Sequence, residues 1–376
     1  MMKQIGAIQI LRAVAALMIV FSHAQNDALL EALKAGSAFS RFTWLPLDAG
    51  VDLFFVISGF IMVHASDRVF AMPGAASKFI SRRLIRIVPL YWQITAIFLV
   101  ILAYAAWTGK HDFPSFSEII ASLGFIPFAR PGDGQPRPLV SLGWTLNYEM
   151  FFYVIFALFI RFERSIAVAA TALTLALAVT LGAIFRPSAT ALAYWSDPIV
   201  IEFLFGMAIA LAWERGFRLN RAWVAILILS GSAVLTLDFD GMSRAAPGAV
   251  ETNGFSRLAG CGLPMALIFG SIVFARPAFS ARGRLTAFLA VLGDASYALY
   301  LFHPLVIIFL RKAYLALGLQ APLGYWPLIA ADIPLAAALA LIIHAGVEKP
   351  VSRLLKAWLR SKRRESEPHI AEAPAG

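Results

Sequence analysis

Charge is what this sequence has least of. Asp, Glu, Lys and Arg make up 14% of its 376 residues, where a soluble globular chain carries about a quarter. That shortage stands beside 60% hydrophobic residues and a mean hydropathy of +0.76. Together they exclude an ordinary soluble domain and point to a chain that crosses a membrane many times. Cysteine is nearly absent. The single Cys261 excludes an internal disulfide and any cysteine-based metal cluster, and no metal is expected. Acidic residues are scarce as well, 22 against 32 Lys and Arg, which leaves a net charge of +10. This surplus does not read as a nucleic-acid surface. The basic residues stand in short runs between apolar stretches, where the positive-inside rule puts them.

What is present is a series of apolar runs. A membrane helix needs about 20 mostly apolar residues. Ten candidates fall near 5–25, 50–65, 82–106, 142–160, 165–184, 196–213, 222–238, 258–275, 286–310 and 326–347. The expected fold is all-α and polytopic. The first run mimics a signal peptide, with Lys3 as its basic start and SHA at 22–24 as a cleavage-like site. Arg12 interrupts its apolar core and many spans follow, so it is read as a retained helix. The second run is short, opens near Asp52 and contains the turn-like SGF at 58–60, so it is expected to be tilted or irregular. The longest loops are 25–49, 107–141 and 239–257, and PGDGQPRP at 131–138 is a breaker segment. After Pro350 the chain begins a basic amphipathic helix (Arg353, Lys356, Arg360). The expected organisation is a membrane domain over 1–360 and a disordered polar tail over 361–376.

Ten spans put both termini on one side. With that side taken as the cytosol, its segments hold 21 of the Lys and Arg residues and the opposite segments ten, while Arg12 lies within the first span. The bias favours an N-in, C-in topology and sets the depth of every polar residue in the spans.

Arg12 and His23 are eleven residues apart on the first span. Eleven steps of about 100° bring them to one face, about 16 Å apart along the axis. A charged or polar face inside a bilayer has to look into protein or a wet cavity. Arg12 is placed in the inner half and His23 near the outer boundary. Asp52, Glu149 (in GWTLNYEMFFY, 143–153) and His303 (in SYALYLFHP, 296–304) fall in the same outer half. Two imidazoles and two carboxylates at one level suit general acid/base chemistry near neutral pH. Each also fits a plainer role: helix N-terminal dipole stabilisation for Asp52 and Glu149, and a packing histidine before Pro304 for His303. At the inner end, SRRLIRIVPLYW (81–92) projects Arg83 and Arg86 together, with Arg82 on another face. Such a pair suits phosphate groups, and it suits simple anchoring as well. Glu348 lies at that inner level and would orient an arginine. His64 and His111 read as loop or boundary residues, His369 lies in the tail, and His344 has no evident partner.

These same stretches carry a resemblance. Arg-x10-His (Arg12, His23), GVDLFFVISGF (50–60), RLIRIVPLYW (83–92), GWTLNYEMFFY, SYALYLFHP and VEKP (347–350), in that order and membrane placement, resemble the membrane-bound acyltransferase family 3. The stand-alone exopolysaccharide-production acyltransferases are its most similar branch, and the likeness runs over about residues 7–356. The resemblance implies a bacterial inner-membrane enzyme that moves an acyl group, usually acetyl from cytosolic acetyl-CoA, to a hydroxyl of an exported or cell-surface polysaccharide or its lipid-linked precursor. It implies that His23 is the catalytic histidine, that Arg12 holds or orients the donor, and that Arg83 and Arg86 serve donor binding or activity. Some relatives carry a fused extracytoplasmic SGNH hydrolase-like domain, which this 376-residue sequence lacks, so the last step falls to this chain or to a separate extracytoplasmic transferase.

The mechanistic expectation is that His23 acts as general base on an acceptor hydroxyl, with Glu149 or Asp52 orienting its imidazole as a carboxylate does in a catalytic triad. Asn147, Tyr148 and His303 are candidate oxyanion donors. An acyl-histidine intermediate is equally compatible with these residues. The other class of function is a transporter or acyl-group translocator, because intramembrane Arg, His, Asp and Glu mark those too. No paired half-repeats are evident in the sequence.

Overall fold

Lipid offers a peptide group no hydrogen-bond partner, so an apolar run must close its bonds within itself, and a helix does this in one segment. In the computed structural model all ten apolar runs are helical. The structure describes residues 2–110, 112–130, 134–239, 241–244, 254–276 and 283–366, without the side chains of 2–5 and 363–366. His111, His369, parts of the 131–138 and 239–257 loops and residues 367–376 of the expected tail lie outside the described residues.

In chain order the helices are α1 (Met2–Lys34), α2 (Gly50–Ala65), α3 (Ala75–Trp107), α4 (Phe116–Leu123), α5 (Trp144–Phe159), α6 (Arg164–Phe185), α7 (Thr190–Trp195) and α8 (Ile201–Glu214). There follow α9 (Arg221–Leu237), α10 (Phe255–Arg257), α11 (Leu263–Phe274), α12 (Arg284–Asp294), α13 (Ser296–Ala316), α14 (Gln320–Leu323), α15 (Trp326–Ile343) and α16 (Lys349–Ser366). Two π-turns, Leu258–Gly262 and His344–Glu348, join α10 to α11 and α15 to α16. No strand occurs among the described residues. Among the described residues eight helical stretches are long and apolar enough to cross a membrane, while α9 with 17 residues and α8 with 14 are shorter. The protein is a multi-pass, all-α membrane protein.

Three expectations about the elements change. The ninth run is not one helix, because Ala295 separates α12 from α13. The helix after Pro350 continues to Ser366, six residues into the stretch expected to be disordered. The SGF stretch is neither a turn nor irregular: α2 runs straight through it. Gly59 is there for contact. A Cβ on Gly59 would lie 2.0 Å from the Phe203 carbonyl oxygen, and one on Gly206 would lie 2.0 Å from that of Val56. The backbones of α2 and α8 therefore cross in direct contact, as small residues permit in membrane helices.

Burial shows which helices are central. The apolar window of α2 is 78% buried, while that of α6 is 22% buried and that of α3 28%. α2 is thus the axis of the bundle and α6 and α3 expose apolar flanks suited to lipid. α1 packs on α2, α12, α13 and α15. It brings residues from both ends of the chain to the same place.

Candidate active site

α1 crosses the bundle beside α13, and the two helices bring His23 and His303 together. His23 Nδ1 lies 2.9 Å from His303 Nε2, and the ring centroids are 5.1 Å apart. His303 is 1% exposed, and its Nδ1 is 3.0 Å from the Leu299 carbonyl oxygen one turn earlier. These contacts set the protons of the neutral pair. A carbonyl oxygen only accepts, so His303 Nδ1 carries the hydrogen and donates it. His303 Nε2 is then a lone pair, which must accept from His23 Nδ1–H. His23 Nε2 is left as a lone pair, without a hydrogen-bond partner among the described residues, on a half-buried side chain. A neutral histidine thereby does for His23 what a carboxylate does in a triad: it fixes the tautomer and the ring.

Below this pair lie two cavities. The upper one, about 330 Å³, runs between α1, α2, α3, α5 and α13. Its wall is mostly apolar and carries Arg12, Arg86, Glu149, Ser58, Tyr153 and Tyr300. Glu149 accepts from Ser58 Oγ at 2.9 Å and from Tyr153 Oη at 2.5 Å. Tyr300 hydrogen-bonds Thr145 Oγ1 at 3.0 Å, and its ring centroid is 6.4 Å from that of His303. The upper cavity therefore ends one helical turn from the histidine pair. The lower cavity, about 840 Å³, opens at the end where α1 begins and α16 starts. Arg12, Lys78, Arg82, Arg83 and Arg86 line it together with four basic residues of α16. Gln9, Arg12 and Arg86 belong to both cavities, and Arg12 Nη1 donates to Gln9 Oε1 at 3.2 Å. The basic vestibule and the apolar chamber thus adjoin at Gln9, Arg12 and Arg86, which line both.

Several sequence expectations are redistributed by these contacts. Neither carboxylate meets His23. Glu149 faces the upper cavity. Asp52 is fully buried in an ion pair with Arg257, with Nε to Oδ1 at 3.1 Å and Nη2 to Oδ2 at 2.8 Å. Glu202 joins that cluster, fully buried, beneath Gly262. Asn147 and Tyr148 do not line either cavity. Thr145, Glu149 and Tyr153 recur every four residues and own the inward face of α5, which turns Asn147 and Tyr148 away. Tyr148 stacks on Tyr194 with centroids 4.1 Å apart, and the buried Asn147 side chain has no hydrogen-bond partner among the described residues. Arg82 is not aimed elsewhere, because it lines the vestibule with Arg83 and Arg86. His64 is a boundary residue and not a loop one: it lies in the last turn of α2, in the wall of the upper cavity, 3.8 Å from Glu214. His344 has a partner after all, since its Nδ1 donates to Glu348 Oε2 at 2.7 Å, and Glu348 holds this imidazole rather than an arginine.

Arg257, Ser58, Tyr153 and Tyr300 were missed. Arg257 sits one residue before the run starting at 258, where an arginine abutting an apolar run is helical and buried. Ser58, four residues after Phe54 on α2, and the 145-149-153 repeat were visible as helical phase.

The architecture is that of a polytopic membrane protein with a hydrogen-bonded imidazole pair above a cation-lined cavity. The Acyltransferase domain family matches residues 5–345, and the chain belongs to that family. It is 35% identical to the exopolysaccharide production protein ExoZ of Rhizobium meliloti (strain 1021), over 73% of this chain and 81% of that one. It is 26% identical to the acyltransferase MdmB of Streptomyces mycarofaciens, over 92% of this chain and 91% of that one. No solved structure matches. The protein is a membrane-embedded transferase of acyl groups.

Proposed function

We propose that this protein transfers an acyl group, acetyl in the simplest case, from a coenzyme A thioester to a hydroxyl of an exported or cell-surface polysaccharide or its lipid-linked precursor. The observation that carries the proposal is the hydrogen-bonded pair His23–His303, which leaves His23 Nε2 as a base near the end of a passage that begins in a cluster of cations. The similarity to an exopolysaccharide production protein supports a polysaccharide acceptor, and the positive-inside bias supports a cytosolic donor in a bacterial inner membrane.

The donor fits the vestibule by charge. Coenzyme A carries a diphosphate and a further phosphate at one end and its thioester at the end of a long flexible arm. Arg82, Arg83 and Arg86 receive the phosphates, and Arg12 with Arg86 marks the entrance through which the arm reaches the apolar chamber. Glu149, held by Ser58 and Tyr153, faces those two arginines and balances their charge. Phosphate held in the vestibule leaves the thioester in a water-poor space, where hydrolysis is suppressed.

The chemistry then conserves protons. The acceptor hydroxyl gives its proton to His23 Nε2 as its oxygen bonds to the thioester carbonyl carbon. The tetrahedral intermediate collapses with loss of coenzyme A thiolate, which takes the proton back from the imidazolium. The imidazolium keeps donating from Nδ1 to His303 throughout. A separate extracytoplasmic transferase is unnecessary on this route.

Labelled acetyl-CoA supplied to inside-out vesicles tests the reading. Label reaching polysaccharide in the wild type, and lost in His23→Ala, is the expected result. Transfer unchanged in that variant removes His23 as the base. Label that crosses the membrane but enters glycan only when an extracytoplasmic transferase is added makes the protein a translocator instead. Direct transfer requires sequential kinetics with a ternary complex, and a ping-pong pattern would replace it with an acyl-histidine route. NMR of surface polysaccharide with and without the chain identifies the esterified hydroxyl.

A further inference from the structure

The proposed function makes no use of the best-built polar group at the mouth of the passage. His344 is 8% exposed and lines the vestibule, with Nδ1 taken by Glu348 at 2.7 Å and Nε2 buried without a partner among the described residues. It stands at the first position of the π-turn His344–Glu348. Such turns cost regular backbone bonding and recur at functional sites. A carboxylate only accepts, so Nδ1–H donates to Glu348 and the ring is held with Nε2 at the vestibule, where an imidazolium donates from Nε2 to an anion.

The helix that follows carries the same message. Lys349, Arg353, Lys356 and Arg360 fall within about 60° of arc at 100° per residue, and all four line the vestibule. Leu354 and Trp358 lie on the opposite side, 71% and 54% exposed. A basic helix that merely rests on a membrane would turn its cations to lipid headgroups. Here the cations turn inward, toward Arg82, Arg83 and Arg86 across the cavity, and the apolar side is left for the bilayer interface. Among the described residues only Asp294 and Glu348 supply negative charge to a wall with nine Lys and Arg side chains.

We propose that His344, oriented by Glu348, together with the basic face of α16, reads the phosphates of the acyl carrier, with His344 Nε2 donating to a phosphate oxygen. The vestibule then has two walls: α3 on one side, and the π-turn with α16 on the other. Glu348 is a positioning residue and does not itself touch the ligand. The inference rests on the coenzyme A reading above and adds the residues that select a phosphorylated carrier.

The test is calorimetric binding of coenzyme A, and separately of inorganic pyrophosphate, to the full chain in nanodiscs of uncharged phosphatidylcholine. His344→Asn keeps an amide donor for Glu348 but lacks the Nε2 position. It is expected to weaken coenzyme A binding about 10-fold, the loss of one hydrogen bond to a charged group, with the effect in KM rather than kcat. His344→Gln, whose amide nitrogen reaches the Nε2 position, is expected to lose less than about 3-fold. Arg353→Ala with Arg360→Ala changes only exposed side chains and keeps the test alive if a His344 variant folds poorly. That pair is expected to weaken binding about 10-fold or more and to flatten its salt dependence. Wild-type affinity in both His344→Asn and the double variant overturns the inference and leaves the coenzyme A reading standing. A wild-type chain that ignores coenzyme A and pyrophosphate but gathers phosphatidylglycerol from mixed nanodiscs makes the wall a headgroup site and overturns both.

Discussion

Two buried polar pairs join distant segments in this bundle, and they differ in one respect. In Asp52–Arg257, both carboxylate oxygens meet guanidinium nitrogens and both side chains are fully buried. In His23–His303, one nitrogen of His23 is committed and the other is open on a half-buried ring. The first pair is closed: both carboxylate oxygens of Asp52 are taken by Arg257, with Glu202 buried beside them, and the contact pins α2 to the start of the π-turn before α11. The second pair is wired to leave a lone pair free. Polar residues at similar depth in a membrane therefore carry different information, and a valence left open by a fully determined partner is what separates chemistry from structure.

The largest expected effect is at the open pair. His23→Ala removes the base, and kcat is expected to fall about 10²–10⁴-fold, with a folded chain whose Tm drops modestly because the buried His303 Nε2 loses its partner. Activity within about 10-fold of wild type would end the distinction between the pairs. The closed pair is expected to respond in the opposite way. Arg257→Ala leaves the Asp52 carboxylate unpaired in a low-dielectric interior, with an expected loss of about 3–5 kcal/mol of stability. It shows as a lowered Tm or loss of the folded chain from membranes. Replacing both partners by apolar residues, Asp52→Leu with Arg257→Met, is expected to recover much of that loss. A folded Asp52→Asn variant with normal Tm and no turnover would move Asp52 back into the chemistry.

How much of this was legible follows from what each signal encodes. Apolar length encodes helices, so all ten runs are helical, and it does not encode where a helix breaks: Ala295 divides α12 from α13 inside a run with no Pro or Gly cluster at that point. Depth from the charge bias put His23 and His303 at one level, yet the choice of Asp52 or Glu149 as the orienting group failed. Which helices are neighbours depends on packing, and α2 turns Asp52 toward Arg257 while α13 turns His303 toward α1. Phase on a single helix was more informative than was used. The 145-149-153 repeat of α5 separates Glu149 from Asn147 and Tyr148 without any structure. Phase misled at Arg82, because a vestibule of about 840 Å³ is wide enough to receive more than one face of α3.

A smaller effect tests the wiring of the open pair itself. His303→Leu removes the acceptor that holds His23 Nδ1–H, so the His23 tautomer and ring angle are no longer fixed. An expected fall in kcat of about 10–100-fold is milder than the loss of a buried triad carboxylate, since a neutral partner supplies orientation without a charge. His303→Gln places a carbonyl oxygen near the Nε2 position and is expected to recover most of the rate. Nitrogen-15 spectra of labelled protein check the same point directly, with His23 protonated on Nδ1 and not Nε2 near neutral pH. The reverse tautomer would place the lone pair against His303 and remove the open valence on which the comparison depends.

The smallest expected effect is at Tyr153, which separates the passage from the chemistry. Tyr153→Phe deletes one of the two hydrogen bonds to Glu149 and leaves that from Ser58. About 0.5–1.5 kcal/mol is at stake, a change of roughly 2- to 12-fold. If Glu149 serves Arg12 and Arg86 at the entrance to the upper cavity, the change falls on the KM for the acyl donor, because a looser carboxylate disturbs binding without touching His23. If Glu149 serves the base through some rearrangement on substrate binding, the change falls on kcat. Steady-state kinetics at varied donor concentration decides between them, and a pure kcat effect would return Glu149 to the histidine pair and make the upper cavity part of the catalytic centre rather than its approach.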